Sequence, residues 1–163
     1  MRKHLIADRH TERNREPSHL RELDLAHCAT IHYSSEDPSH PIEHMLDGSS
    51  GRGASRWISA RTDVTEVLLV EFDEPQHLSH VAFEAEEPLA MRTQEVRAEF
   101  SDDGGKSWRQ AFIQEYNFSP LGSTYECENI GLDLRGVTHL RLSIVPNKGG
   151  SGRATLTSLR LFS

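Results

Sequence analysis

The stretch that decides the fold runs from Cys28 to Ala60 and reads CATIHYSSEDPSHPIEHMLDGSSGRGASRWISA. Its first residues alternate in polarity and are rich in β-branched side chains, which predicts a strand. A polar turn and one short helical turn follow, and Gly48 ends that turn. A loop of Gly, Ser and Arg then leads to a second strand that begins at Trp57. This order of elements favours a ligand-binding β-sandwich over an enzyme core.

The rest of the chain continues as short strand patterns with turn signals between them. The segment TQEVRAEF alternates apolar and polar residues cleanly, so its apolar side chains share one buried face. SDDGGKSW is typical of a hairpin turn, and DEPQ at 73–76 predicts another turn. The pattern predicts eight or nine strands and almost no helix. We therefore expect an all-β fold, an antiparallel β-sandwich of the jelly-roll type.

Length and composition indicate one domain behind a polar arm. The chain has 163 residues, enough for one domain with a sizeable core. Residues 1–26 are polar and charged, and we predict a poorly ordered N-terminal arm there. Residues 27–163 form the predicted domain. Its two cysteines, Cys28 and Cys127, lie far apart in a sequence without an export signal, which predicts free thiols.

Charge and motifs exclude several classes of function. The net charge of −7 argues against a general nucleic-acid-binding surface. The sequence has no apolar run near the roughly 20 residues that span a bilayer, so we expect no membrane segment. The first ten residues lack the features of a signal peptide, which predicts a cytoplasmic location. Neither a G-x-S-x-G elbow nor a cysteine in a catalytic context is present, and we expect no enzymatic activity.

Two segments of this acidic chain hold no acidic residue. Both are rich in Gly and Ser; one spans Gly48–Thr62 and the other Pro146–Phe162. In the expected fold the first and last strands are antiparallel neighbours, which would bring the two loops to one end of the sandwich.

Four cations on these loops are candidate ligand-binding residues: Arg52, Arg56, Lys148 and Arg153. Converging cations and glycine-exposed amides favour an anionic or polyhydroxyl ligand. The alternative is a pair of solvated loops whose charges meet acidic neighbours such as Asp37.

Aromatic residues supply further candidates. Tyr116 and Asn117 precede a Pro-Leu-Gly bend, and Tyr116 shares a strand face with Phe118. An outward face would make Tyr116 and Asn117 ligand contacts, whereas an inward face would place the rings in the core. Trp57 and Trp108 could stack on sugar rings, but the start of a strand and the end of a hairpin are positions that favour the core.

A short motif resembles a zinc-peptidase pattern. His40-Pro41-Ile42-Glu43-His44 has the H-x-x-E-H spacing. Zinc catalysis needs a sustained helix and a third ligand, yet Gly48 ends this turn early. We therefore predict a surface helical turn here.

Four pieces of the sequence resemble the galactose-binding-like superfamily, also called the discoidin or coagulation factor 5/8 type C (F5/8 type C) domain. They are SSEDPSHPIEHMLDG followed by RWIS, FSDDGGKSW, HLRLSIVP and ATLTSLRLF, and together they cover residues 28–163. The resemblance implies a non-catalytic carbohydrate-binding module, and the cations of the two acid-free loops make an anionic saccharide the candidate ligand. The alternative is a protein-docking module, as in intracellular members of the family, so the expected partner is a saccharide or a protein.

The resemblance also implies a loop that often wraps a structural calcium ion. Asp47 matches the family's aspartate, Gly48 a carbonyl position and Ser55 the hydroxyl two residues before Trp57. The loop is three residues longer than in the family, and Ser158 stands where the family has a glutamate. Calcium takes six to eight oxygen ligands. The two expectations are a calcium site at these residues, or a loop held by its own hydrogen bonds with Asp47 capping it.

Overall fold

Two very long strands organise the structure, a computed structural model that describes residues 20–163. A short helix, a 3-10 turn and eight strands make up the described part: α1 Leu25–Cys28, β1 Ala29–Tyr33, the 3-10 turn Ile42–Met45, β2 Trp57–Ile58, β3 Glu66–Glu86, β4 Arg92–Ser101, β5 Arg109–Phe118, β6 Tyr125–Val145, β7 Thr155–Leu156 and β8 Ser158–Phe162. β3 and β6 each join two segments that the sequence pattern separates.

β3 and β6 form one antiparallel ribbon that folds back on itself. Glu66 pairs with Ile144 at one end of the ribbon, and Glu86 pairs with Tyr125 at the other. The register is irregular between Glu71 and His80, where bulges bend the strands. The segment 73–76, predicted as a turn, lies in this bend while the strand continues through it, so the ribbon crosses from one layer of the fold to the other.

Each half of the ribbon forms part of one layer. β1 pairs with the first half of β3, and β4 and then β5 extend that layer beyond β6. The second half of β3 pairs with β8 to form the other layer. β2 and β7 make a separate two-stranded ladder. All these pairings are antiparallel, and the predicted antiparallel β-sandwich is confirmed.

The predicted pairing of the first strand with the last is wrong. β1 pairs with β3 from Ala29↔Phe72 onward, whereas β8 pairs with β3 from His80↔Phe162 onward. Because β3 crosses between the layers, one half of it can pair with a strand in each layer. β1 and β8 therefore both pair with β3 and do not pair with each other.

The domain begins earlier than residue 27. Leu23 and Leu25 are buried, and the amide of Leu23 donates a 2.8 Å hydrogen bond to the carbonyl of Leu161. Glu22 forms an isolated bridge with Phe162. Apolar side chains at alternate positions dock this segment on β8, so its end belongs to the sandwich and not to the predicted arm. The remainder of that arm, residues 1–19, lies outside the described residues.

The two cysteines are free thiols, as predicted, and both are half-buried. Within residues 20–163, no helix is long and apolar enough to cross a membrane.

A buried carboxylate joins the start of β3 to the segment after β1. Glu66 has no exposed surface, and its oxygens accept hydrogen bonds from Ser34, from Ser35 at 2.9 Å and from two nitrogens of Arg61 at 3.0 Å. Burial alone raises the pKa of Glu66, but the donors together outweigh it and hold the pKa below its ordinary value.

Glu66→Gln is expected to lower the free energy of unfolding by about 2 kcal/mol at pH 7, because the charged hydrogen bonds are lost. A folded-state pKa below the unfolded value means that this stability is present above pH ~4.3 and is lost as the pH falls further. Urea unfolding of both proteins from pH 7 to pH 3 measures the effect. The difference is expected to shrink below pH ~4.3, and Glu74→Gln, on an exposed part of the same strand, serves as the control. A constant difference across the range would contradict the assignment.

Candidate functional site

Loops from distant parts of the chain meet at one end of the sandwich. We call this end the loop pole and define it by residues 47–56, 87–91, 119–124 and 146–154. Both ends of the β3–β6 ribbon reach it, since Glu87 follows β3 and Pro146 follows β6. The predicted proximity of the two acid-free loops is therefore confirmed, although the ladder that joins their segments is β2–β7 and not β1–β8.

A cavity of about 350 Å³ opens at this pole. We call it the Arg cavity. Arg56 and Arg153, one from each acid-free loop, both line it, and Ile58 and Pro88 with Leu89 provide apolar lining. Its volume lies within the range typical of small-molecule sites.

The two arginines that the acid-free loops contribute to this cavity differ in their acidic partners. Arg153 Nη1 donates to Asp37 at 2.7 Å, so part of the charge is neutralised, and this bond lowers the pKa of Asp37. Arg56 Nη1 donates to the backbone carbonyl of Glu86 at 3.2 Å. Among the described residues no carboxylate forms an ion pair with Arg56. Arg56 therefore differs from Arg153 in having no acidic partner among the described residues, and its remaining N–H groups can donate to a ligand.

Arg92 is a buried arginine that the sequence analysis missed. Its Nη1 donates to the carbonyl of Pro146 at 2.8 Å and to that of Arg153, and its Nε lies 3.0 Å from Glu87 Oε1. Burial lowers the pKa of Arg92, and the Glu87 carboxylate opposes this. The guanidinium thereby ties the loop after β3 to the loop after β6. The alternation of apolar and polar residues in β4 could have identified Arg92. Extended towards the start of the strand, it places Gln94 and Arg92 on the inward face.

A second cavity, of about 470 Å³, adjoins the first, and Arg92 lines both. We call it the Asn cavity, since Asn117 and Asn147 contribute to it together with Gly149 and Gly150. Asn117 is exposed, and its Oδ1 accepts a 2.6 Å hydrogen bond from Thr93. Asn117, predicted to contact a ligand, therefore lines a cavity, but not the one that Arg56 and Arg153 line.

Arg52 and Lys148 line neither cavity. Arg52 donates to Thr124 Oγ1 at 2.9 Å, and its guanidinium lies 5.4 Å from the centre of the Tyr125 ring. Lys148 forms ion pairs with Glu115 and, at 3.7 Å, with Glu95, and the bond to Glu115 raises the pKa of Lys148. The predicted group of four cations is therefore reduced to the two that line one cavity, Arg56 and Arg153.

The structure corrects the prediction that Tyr116 contacts a ligand. Tyr116 is only 4% exposed and packs against the rings of Phe83 and Phe118, at centroid distances of 5.8 and 6.3 Å. Burial raises its pKa. The inward face of β5 carries both rings, while Asn117 between them faces outward.

The two tryptophans differ in burial. Trp57 is fully buried, which confirms its core position. Trp108 is half-buried, with the Arg141 guanidinium 4.0 Å from the centre of its ring. Arg141 lies between the inward-facing Leu140 and Leu142, so it belongs to the outer face of its sheet. Trp108 is therefore not a core residue, contrary to the expectation.

The residues predicted to hold calcium lie close together, but their polar groups form hydrogen bonds with one another within the loop. Asp47 Oδ1 accepts a 2.8 Å bond from the amide of Ser49, and Oδ2 accepts one from Ser55. Hydrogen bonds from the side chains of Ser49 and Ser55 hold the pKa of Asp47 below its ordinary value, and the amide of Ser49 adds to the effect. Gly48 has φ +81°, which turns the backbone as a non-glycine residue rarely does.

Carboxylates on β3 complete this loop. Glu84 lies opposite Ser158 in the ladder, at the place where the family glutamate is missing, and accepts from the amide of Gly51 at 3.2 Å. Glu86 accepts from the amide of Gly53 at 2.8 Å. These oxygens face N–H donors, and no group of three His, Cys, Asp or Glu side chains in residues 20–163 could hold a metal ion. The residues as arranged do not fit a calcium ion.

The zinc-like motif forms the surface turn predicted for it. The segment Ile42–Met45 is a 3-10 turn, and His44 Nδ1 lies 3.2 Å from the carbonyl oxygen of Arg56. His40 Nδ1 lies 3.7 Å from Asp37. A 3-10 turn of this length does not present the two histidines as the sustained helix of a zinc peptidase would.

Comparison with solved structures identifies neighbours among carbohydrate-binding modules. The family 32 module of Clostridium perfringens NanJ, solved with galactose, shares 12% identity and a TM-score of 0.62, covering 87% of this chain and 98% of that one. A family 32 module from a C. perfringens family 89 protein, solved with GalNAc-β-1,3-galactose, shares 16% identity and a TM-score of 0.61, over 88% and 100%. A chitosan-binding module of a Paenibacillus chitosanase/glucanase shares 19% identity and a TM-score of 0.60, over 88% and 100%.

At these identities the likeness shows the fold alone. No curated protein sequence matches the chain. The sequence model of the F5/8 type C domain matches residues 30–158, which is most of the chain. The sequence resemblance is thereby confirmed, and the chain belongs to the F5/8 type C domain family.

Proposed function

We propose that this protein is a non-catalytic carbohydrate-binding module and that the Arg cavity is its binding site. The observation that carries the proposal is the convergence of Arg56 and Arg153 on one open cavity at the loop pole. The structural neighbours solved with galactose and with a GalNAc-galactose disaccharide support a saccharide as the ligand.

The chemistry of the Arg cavity suits a sugar ring. A guanidinium presents a planar fork of donors that matches adjacent hydroxyl groups or a carboxylate. Ile58, Pro88 and Leu89 can pack against the apolar face of a pyranose. Asp37 pairs with Arg153 and Glu87 with Arg92, whereas Arg56 has no ion pair among the described residues; the carboxylate of Glu86, which also lines the cavity, accepts from the amide of Gly53. This favours a saccharide that carries a carboxylate or another anionic group.

Arg56→Ala is expected to weaken saccharide binding at least tenfold, since a hydrogen bond from a charged donor contributes about 1.5–3 kcal/mol. Titration calorimetry with galactose, GalNAc and galacturonic acid measures the change. Galacturonic acid is expected to bind most tightly at low salt, and the preference should decrease as salt is added. Lys148→Ala is the matched control, because Lys148 lies outside both cavities and should leave affinity unchanged. Absence of binding for all three sugars in the millimolar range would overturn the proposal.

Protein docking is the second candidate function. Leu89, Met91 and Leu121 are 86%, 77% and 101% exposed, and all three lie at the loop pole. Exposed apolar groups on neighbouring loops are a feature of contact surfaces. If the titrations fail while the chain recovers a stoichiometric partner from native extract, this function replaces the first. The cytoplasmic location remains a prediction from the sequence.

A further inference from the structure

We infer that the Arg cavity and the Asn cavity are adjacent subsites for one ligand, an oligosaccharide of at least two sugar units. The inference rests on the proposed function and adds the length and polarity of the ligand. It assigns the Asn cavity, lined by Asn117, to the second sugar.

The two cavities share a wall. Arg92 lines both of them. The loop after β6 also contributes to both, with Gly149 and Gly150 lining the Asn cavity and Gly152 and Arg153 the Arg cavity. A single side chain and a few residues of one loop therefore separate the two volumes. Consecutive units of one glycan chain can occupy sites this close, whereas two independent ligands would compete for the same rim.

The shared loop is fixed in place. Asn147 Oδ1 accepts from the amide of Thr93 at 3.2 Å, and its Nδ2 donates to the carbonyl of Ser151 at 3.1 Å. A Cβ at Gly150 would collide with the Asn147 amide, and one at Gly152 would lie 3.2 Å from Arg92 Nη1. Glycines at these positions let the loop pack tightly, so both subsites are formed before any ligand arrives. Preformed sites reduce the ordering cost of binding.

The polar groups of the two subsites differ. The Arg cavity offers the guanidinium groups of Arg56 and Arg153, and the carboxylates of Glu86 and Glu87 also line it. The Asn cavity offers neutral donors beside the ion-paired Arg92: within residues 20–163 no acceptor contacts Asn117 Nδ2, and the amides of Gly149 and Gly150 donate to no backbone carbonyl. Neutral donors suit hydroxyl or N-acetyl oxygens. The geometry thus points to a ligand with its more polar or anionic unit in the Arg cavity and a neutral unit in the Asn cavity.

Titrations with galactose and with GalNAc-β-1,3-galactose test the inference on the full chain. The disaccharide is expected to bind at least tenfold more tightly than the monosaccharide. Asn117→Ala should remove most of that advantage, whereas Arg56→Ala should weaken binding of both ligands. Gln110→Ala, an exposed substitution at the far end of the same strand, is the control and should retain the advantage.

The outcomes separate this inference from the proposed function. Equal affinities for the two sugars, or a disaccharide advantage that Asn117→Ala leaves intact, would overturn the second subsite while carbohydrate binding stands. Neutral chitin oligomers repeat the comparison with a different sugar, so that a failure with the galactose series alone is recognised as a preference for another sugar. If no saccharide binds, the proposed function fails and the inference fails with it.

Discussion

Trp57→Ala is expected to lower the free energy of unfolding by about 4 kcal/mol, since truncation of a fully buried aromatic side chain leaves a large cavity. The substitution also leaves the carbonyl of Ser35 without the indole donor that lies 3.0 Å away. β2 consists of Trp57 and Ile58 alone, so the ring is the main anchor of that strand to the core. Thermal unfolding should show a decrease in Tm of roughly 10 °C.

Trp108→Ala provides the matched comparison, because it removes the same side chain from a half-buried position. The loss there is the contact with Arg141 and part of the buried area, for which we expect about 1 kcal/mol. Urea unfolding followed by circular dichroism measures both variants without relying on tryptophan fluorescence. Equal losses for the two variants would contradict the placement of Trp57 in the core.

Arg92→Ala is expected to destabilise the fold by about 3 kcal/mol, because removal of one partner leaves a buried charge and polar groups unpaired. Glu87 loses its ion pair, and the carbonyls of Pro146 and Arg153 lose their donor. Since these contacts hold two loops of the loop pole together, saccharide affinity should fall as well. Arg92 acts here as a positioning residue for both cavities.

Calorimetric unfolding and sugar titration, at a temperature where the variant is folded, measure the two effects of Arg92→Ala. Arg97→Ala on the same strand is the control; the Arg97 side chain is 49% exposed and lies 3.9 Å from Glu95, so we expect a change within about 0.5 kcal/mol. Arg92→Lys should fall between the two, because lysine keeps the charge but cannot reach all three acceptors. A destabilisation no larger than that of Arg97→Ala would refute the role of Arg92.

Local features of the sequence predicted the fold well. Alternation in β4 and the Asp-Gly-Gly turn after it are short-range patterns, and a strand or hairpin requires only such patterns. The buried Trp57 and the helical turn before it followed from the same reading. The pattern for β3 failed at residues 73–76, because turn-forming residues also occur where a strand bends without losing its partners.

The site depended on contacts that no local pattern records. The sequence identified four loop cations but not which of them had acidic neighbours; the partners of Lys148 lie on adjacent strands, at Glu115 and Glu95. Arg92 reaches a carbonyl 61 residues away in the chain. The sequence showed that Ser158 stands where the family has a glutamate, but not that Glu84 of the neighbouring strand lies opposite it.

The sequence by itself determined the sandwich, its family and the two loops on which a ligand site would form. The sandwich follows from side-chain periodicity and turn chemistry, which act over a few residues, whereas the family follows from the resemblance of the motifs. Only the tertiary structure decided that Arg56 and Arg153 share a cavity, that Arg52 and Lys148 do not, and that Tyr116 lies inside. Electrostatic pairing and burial depend on which strands become neighbours, and the folding back of one long ribbon sets those neighbours.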